Sequence, residues 1–199
     1  MDTLNKKIDF AALITVTMAN GNGDPLNGNR PRTDYNGLGE ISDVCLKRKI
    51  RNRMQDMGHD IFVQSDDRTT DGFKSLSERA KDGLGETKGK YEYLQTACEK
   101  WLDVLSFGQV FPFKADKGAD KKEGGVSRSV RGPVSIHQAT SLSPVEIDSM
   151  QITKSVSNEP GEKRGSDTMG TKHLVRFGLY KIKGSINVQL AQKTGFTGA

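Results

Sequence analysis

The sequence predicts an α+β fold organised around one strand, one loop and one basic helix near its N-terminus. Residues 10–18 alternate between two sets of side chains with the period of a half-buried strand. The glycine- and asparagine-rich stretch 20–32 can continue neither a strand nor a helix. Ser42 and Asp43 then suit a helix N-terminus, and Gly58 suits its end. This strand–helix–strand order calls for a second helix and a closing strand over the sheet, and we expect the chain to end before them.

The predicted helix combines an apolar stripe with a high density of positive charge. The stripe, which can pack on a sheet, consists of Leu46, Ile50, Met54 and Met57. The cations fall into three groups: Lys47 and Arg51 on one flank, Lys49 and Arg53 on the other, and Arg48 facing outward. Like charges at this spacing repel one another, and a polyanion lying along the helix would relieve the repulsion. A solvated surface helix is the alternative interpretation.

Positive charge is unevenly distributed along the chain. Residues 1–113 hold 16 Lys/Arg and 17 Asp/Glu, whereas residues 114–199 hold 14 and 8, so the excess lies in the second part. Basic residues collected in one helix and one half of a chain suit nucleic acid better than a membrane or small anions. The sequence shows no signal peptide and no long apolar run, and its two cysteines are typical of small packed side chains. We therefore expect a soluble, cytoplasmic protein.

The middle of the chain predicts an irregular insertion followed by a longer helix. Residues 64–90 are polar and broken by glycines, with one short helix over 75–81, and 91–107 show a helical apolar face. Trp101 on that face is interpreted as a core anchor, with base stacking as the alternative. Gly108 ends the helix, a strand follows over 109–113, and 114–125 reads as a solvated loop.

Two basic stretches in the second half are candidates for phosphate contact. Arg128 and Arg131 stand beside glycine and small hydroxyl residues, which lets a phosphate approach the backbone closely, although a solvated turn is the alternative. Residues 150–175 read as an arm whose polar tip, 158–170, has little that could build a core. Such a hairpin usually exists to touch something else. A clear alternating strand follows over 179–190, and no helix is expected after it.

Several sequence motifs that are typical of enzymes and metal sites are absent from the sequence. It contains no dinucleotide fingerprint, phosphate loop or nucleophile elbow, its three histidines are scattered, and it has no Cys-x-x-Cys. We therefore predict no cofactor and no metal. Asp24 and Asp34 in the glycine-rich stretch are interpreted as turn residues making Asx-type hydrogen bonds. The alternative is that one of these two aspartates assists the cleavage of RNA.

Long motifs in the chain resemble a known family. They cover residues 23–34, 42–51, 101–104, 107–111, 131–135, 141–145 and 176–180. Together these stretches closely resemble the repeated backbone subunit of the type I-C CRISPR surveillance complex (Cascade), in the RAMP superfamily. The resemblance implies an RNA-recognition-motif-like, ferredoxin-like palm over 1–58, 108–149 and 176–199. It further implies a helical insertion over 59–107 and a protruding hairpin, the thumb, over 150–175.

The resemblance also implies a function. Copies of such a subunit assemble in a helical filament along the CRISPR RNA, beside other Cascade subunits, and present the guide for pairing with target DNA. By that analogy the RNA-binding residues are Arg30, Arg32, Lys47, Arg48, Arg51, Arg53, Arg128, Arg131, Lys163 and Arg164. The expected protein is non-catalytic. The alternative is a ribonuclease of the type III backbone kind, in which Asp24 or Asp34 would serve.

Overall fold

The computed structural model describes residues 2–85, 90–111, 128–153 and 169–198. Its strands are β1 Ile8–Ala19, β2 Gly23–Asp24, β3 Arg30–Pro31, β4 Leu38–Ile41, β5 Gly108–Phe111, β6 Arg128–Arg131, β7 Val134–Ile136, β8 Ala139–Pro144, β9 Ile147–Thr153 and β10 Met169–Ile186. Its α-helices are α1 Asp43–Asp56, α2 Leu76–Leu84, α3 Lys90–Lys100, α4 Leu102–Phe107 and α5 Val188–Thr194. This mixture of helices and a central sheet confirms the predicted α+β class.

The chain divides into two compact units, and the longer elements run through both. The first unit comprises residues 1–10, 47–136 and 184–199, and the second comprises residues 11–46 and 137–183. Within the described residues, no helix is long and apolar enough to cross a membrane.

The second unit is built on a sheet in the order β1-β10-β8-β4. Tyr180 of β10 pairs with Ser141 of β8, and its ring packs under Gly39 of β4, where any larger side chain would collide with it. The far end of β10 pairs with β9 in a regular antiparallel ladder from Met169↔Thr153 to Val175↔Ile147. This ladder confirms strands at the base of the predicted arm. The tip, including Lys163 and Arg164, lies outside the described residues.

The first unit has an aromatic core where the sequence predicts the insertion. Trp101 is 3% exposed, and its ring centroid lies 4.7 Å from that of Phe62, which confirms the core-anchor interpretation. The helix predicted over 91–107 is confirmed in extent, but its continuity is wrong, because it is interrupted at Trp101 between α3 and α4. Trp101 takes an extended backbone conformation there, and the Leu102 amide donates to the Asp60 carbonyl at 3.0 Å. A contact distant in sequence therefore decides the break.

The C-terminal part departs from the sequence prediction. The strand expected over 179–190 ends at Ile186, and α5 follows, so the expectation of no further helix is wrong. The Asn187 side chain caps α5 by accepting from the Leu190 amide at 3.0 Å, and Gly195 ends it at φ +81°. Ala191 of α5 is completely buried. The alternation of side chains over 179–190 favoured a continuous strand, although Asn187 within it is a good N-cap residue.

The remaining predictions are met in part. The helix predicted over 75–81 is α2, capped by the Ser75 hydroxyl, which accepts from the Glu78 amide at 3.2 Å. The strand predicted over 109–113 corresponds to β5, Gly108–Phe111, and residues 112–113 and the predicted loop 114–125 lie outside the described residues.

Candidate nucleic-acid interface

The basic helix α1 begins and ends where the sequence predicts. The Ser42 hydroxyl accepts from the Cys45 amide at 3.2 Å, and the Asn22 side chain accepts from the Ser42 amide at 2.9 Å. At the other end Gly58 takes a φ of +84°, which favours glycine. The glycine-rich stretch thus fixes the start of the helix through Asn22.

Arg51 of α1 forms a buried ion pair with Asp103 of α4. Its Nε donates to Oδ2 of Asp103 at 2.8 Å, and the two side chains are 13% and 1% exposed. The same carboxylate accepts from the amides of Phe62 and Val63 at 2.6 and 3.1 Å. Three donors therefore satisfy a carboxylate that would otherwise be costly to bury. The ion pair of Arg51 therefore holds α1 on α4.

Arg48, which is half-buried, also bonds to another segment of its unit. Its Nη1 donates to the Val63 carbonyl at 2.8 Å, so the prediction that it faces outward is wrong. Burial, and then the nearby charge of Arg51, lower the pKa of Arg48. Arg48 and Arg51 together form what we call the anchored flank of α1.

Lys49 and Arg53 lie one turn apart on the opposite side of α1, which we call the open flank. Both are exposed. Across the described parts of the chain, neither side chain has an acidic partner or a hydrogen-bond acceptor. The open flank therefore presents two cations at the spacing of one helical turn, about 5–6 Å. Lys49 was not among the predicted site residues, although its i,i+4 relation to Arg53 signals it.

An aromatic ring that the sequence analysis did not single out lies beside Lys47. The ring of Phe107, at the end of α4, has Arg51 Cζ at 5.1 Å and Lys47 Nζ at 6.0 Å from its centroid. Both distances fit cation–π contact. Lys47 is half-buried beside this ring.

The two other predicted arginines of the first unit have different surroundings. The guanidinium carbon of Arg128 lies 4.8 Å from the ring centroid of Tyr93, a distance that fits a cation–π contact. Arg131 is exposed and pairs with Gly108 across β5 and β6. Gly108 has a φ of +79°, and the backbone of β6 lies so close that a Cβ atom at this position would collide with it. The pairing of β5 with β6 therefore requires glycine here.

The aspartates of the glycine-rich stretch are engaged in local structure. The Asp24 carboxylate accepts from the Leu26 amide and from Nη2 of Arg32, both at 3.2 Å. Asp34 accepts from the amides of Asn36 and Leu38 at 2.9 and 2.8 Å. These bonds confirm the Asx-turn interpretation of both residues. Among the residues that are described, no group of three or more His, Cys, Asp and Glu side chains is placed to hold a metal ion.

Arg30 of the same stretch bonds to a hydroxyl. Its Nη1 donates to the Ser149 Oγ of β9 at 3.2 Å, and that oxygen lies 2.8 Å from Nδ1 of His173 in β10. Neither Ser149 nor His173 was predicted as a site residue, because their meeting depends on strand pairing between distant segments.

Comparison with known proteins places the chain in a family. The family model "CRISPR-associated protein Cas7" matches residues 6–199. A curated relative, the CRISPR-associated protein Cas7 of Haloferax volcanii, is 29% identical over the whole chain, and the chain spans 62% of that relative.

Two solved structures share the fold at low sequence identity. A chain of a "CRISPR RNA-guided surveillance complex, pre-nicking" matches 96% of this chain and 64% of its own length, at 17% identity and a TM-score of 0.55. A chain of a "CRISPR RNA-guided surveillance complex" matches 96% and 54%, at 19% identity and a TM-score of 0.50. On the strength of the nearly full-length family match, the chain belongs to the Cas7 family of CRISPR-associated proteins.

Proposed function

We propose that this chain is a CRISPR RNA-binding backbone subunit of a Cascade complex, of subtype I-C. The observation that carries the proposal is the open flank of α1, which presents two exposed cations without acidic partners among the described residues. Contacts from such cations to phosphates are independent of base sequence and sensitive to salt. A subunit that accepts any guide sequence needs contacts of this kind. The family match supports the same proposal.

The geometry favours different roles for the cations of α1. Arg48 and Arg51 position α1, because their guanidinium groups bond to Val63 and Asp103. Lys49 and Arg53 contact phosphates, with Arg131 as a further exposed cation. Lys47, Arg30, Arg32 and Arg128 remain candidates, as do Lys163 and Arg164 of the arm.

The wider assignment follows from the family resemblance. Copies of the chain line up along the guide RNA beside other Cascade subunits, and the guide pairs with target DNA. Residues 150–175 act as the thumb, 59–107 as the insertion and the remainder as the palm. The subunit is non-catalytic and works in the cytoplasm.

The ribonuclease alternative is less well supported. A carboxylate that assists cleavage must reach a metal ion or a proton of the substrate. The carboxylates of Asp24 and Asp34 already accept from two donors each, within their own turns or from Arg32. Both are therefore accounted for by the structure of the loop.

Binding of single-stranded RNA against salt concentration tests the proposal. We expect the wild-type chain to bind more tightly to longer RNAs, with affinity falling as salt rises, and to form regular filaments in electron micrographs. The variant Lys49→Ala/Arg53→Ala should weaken binding and reduce the magnitude of the salt slope by about 1.4, or ~0.7 for each lost phosphate contact on a single strand.

The control variant is Lys6→Ala/Lys193→Ala, which removes two exposed lysines of the same unit. Its salt slope should match the wild type. Equal losses in the two double variants would mean that net charge, and not the open flank, governs binding. Wild-type protein that is folded by circular dichroism yet shows no salt-dependent RNA binding would contradict the proposed function.

A further inference from the structure

Three side chains from three segments of the second unit meet at the base of the β9–β10 hairpin. Arg30 comes from β3, Ser149 from β9 and His173 from β10. Nη1 of Arg30 donates to Ser149 Oγ at 3.2 Å, and Ser149 Oγ lies 2.8 Å from His173 Nδ1. Ser149 and His173 are directly opposite each other in the antiparallel ladder, which fixes their separation.

The charge of Arg30 is not neutralised by a carboxylate. Among the side chains that the structure describes, no acidic group lies within 4.0 Å of its guanidinium. The nearest acid along β9 is Asp148, but successive side chains of a strand point to opposite faces. Arg32, two residues away, differs in this respect because it pairs with Asp24 at 3.2 Å.

The cluster retains unused hydrogen-bonding capacity. A guanidinium carries five N–H donors, and Arg30 uses one of them on Ser149. His173 uses Nδ1 on Ser149, and its Nε2 lies beside Gly28, where a Cβ atom would sit 4.0 Å away. Gly28 has a φ of +56°, a conformation that favours glycine, and glycine places no side chain beside the imidazole. The guanidinium of Arg30 and the imidazole of His173 therefore meet at the Ser149 hydroxyl, and both keep nitrogen atoms that no described residue uses.

This set of groups matches the chemistry of a phosphodiester. Arginine and serine side chains are among the groups from which proteins donate hydrogen bonds to nucleic-acid phosphates. The arginine fork suits two oxygens of one phosphate, and such charge-assisted bonds are stronger than the present bond to a neutral hydroxyl. Phosphate would therefore be the preferred acceptor for Arg30.

We infer that Arg30, Ser149 and His173 form a binding site for one phosphodiester of single-stranded nucleic acid at the base of the hairpin. The inference rests on the proposed function and adds two residues, Ser149 and His173, to it. Arg30 is the cationic ligand, Ser149 holds its guanidinium in place, and His173 contacts the phosphate through Nε2.

The first test counts phosphate contacts from the salt dependence of RNA binding. Arg30→Gln should weaken binding about tenfold and reduce the magnitude of the salt slope by ~0.7, the value of one phosphate on a single strand. The double variant Arg30→Gln/His173→Gln should lose no more slope than Arg30→Gln alone, because both residues serve one phosphate.

Two control variants keep the test specific. Arg176→Gln removes an arginine of β10 that is ion-paired to Glu146 at 3.1 Å, and Lys172→Gln removes the lysine next to His173 on the other face of β10. Both should leave the slope closer to the wild-type value than Arg30→Gln does. An unchanged slope in Arg30→Gln, with a lowered melting temperature, would show a structural latch and overturn the inference.

The second test needs no variant, because the chain has three histidines. Diethyl pyrocarbonate acylates accessible imidazole nitrogens, and peptide mass spectrometry would compare His173 with His59 and His137 with and without RNA. We expect RNA to protect His173 and to leave the exposed His59 reactive.

The outcomes separate this inference from the proposed function. Salt-dependent binding by the wild type, with an unprotected His173 and an unchanged slope in Arg30→Gln, would contradict the phosphate site alone. Absence of RNA binding by folded wild-type protein would contradict both. Protection of His173 together with the loss of one contact would support both.

Discussion

Arg48 and Arg51 on the anchored flank of α1 bond to Val63 and Asp103, whereas Lys49 and Arg53 on the open flank meet no acceptor among the described residues. All four lie within two turns of one helix, and the sequence alone does not show which of them bond to other segments and which stay exposed. The difference arises from what packs beside each flank. A run of cations thus contains both residues that hold the helix in place and residues that stay exposed, and contacts with other segments distinguish the two sets.

The largest expected effect is on the anchored flank. Asp103→Ala removes the acceptor of Arg51 and of two backbone amides, and it leaves a nearly buried guanidinium unpaired. We expect a loss of about 3–5 kcal/mol in the free energy of unfolding, measured by urea titration of Trp101 fluorescence. Asp56→Ala, which breaks the exposed pair with Arg68, should cost less than about 1 kcal/mol. Similar losses in the two variants would contradict the structural role of Asp103.

A smaller loss of stability is expected for Arg48→Met. Methionine keeps an apolar stem against the helix but cannot donate to the Val63 carbonyl, so we expect a loss of about 1–2 kcal/mol. Arg53→Met on the open flank is the matched control, and urea titration compares the two. If both variants unfolded at the same urea concentration, the two flanks would not differ in stability.

A third arginine that points inward, Arg79, should make the stability of the fold depend on pH in the acid range. Arg79 donates to both carboxylate oxygens of Asp71, at 2.6 and 2.9 Å, and holds the pKa of Asp71 below its ordinary value of 3.8. The ion pair therefore stabilises the fold above that value, and its contribution is lost as the pH falls through the lowered pKa. The melting temperature of the wild type should fall as the pH drops from neutral to below the lowered pKa of Asp71. The melting temperature of Asp71→Asn should fall less over the same range. Parallel pH curves would argue against this linkage.

The smallest effect on stability is expected on the open flank. Lys49→Ala/Arg53→Ala should change the free energy of unfolding by no more than about 0.5 kcal/mol, because neither side chain has a partner to lose among the described residues. The same variant should weaken RNA binding. A large loss of stability here would mean that weakened RNA binding reports unfolding, and it would remove the contrast between the flanks.

The features that the sequence predicts well are those set by local signals. Ser42, Asp43 and Gly58 place α1 correctly because caps act within one turn. Trp101 breaks the predicted helix because Leu102 bonds to Asp60, which local periodicity does not reveal. The role of Arg51 depends on an aspartate 52 residues away. On the single helix predicted over 91–107, Asp103 falls on the side opposite the apolar face, so local periodicity gives no sign that its carboxylate is buried.

The glycine-rich stretch after β1 looks from its composition like a flexible loop, yet hydrogen bonds hold it and the turn that follows it at four points. Asn20 donates to the Asn29 carbonyl, Asn22 accepts from Ser42, and Asp24 and Asp34 close their own turns. Fixing a residue's backbone costs about 1–2 kcal/mol in conformational entropy, and here folding has already met that cost. A ligand that reaches Arg30 or Arg32 would find a preorganised surface, so its affinity would lose little to ordering.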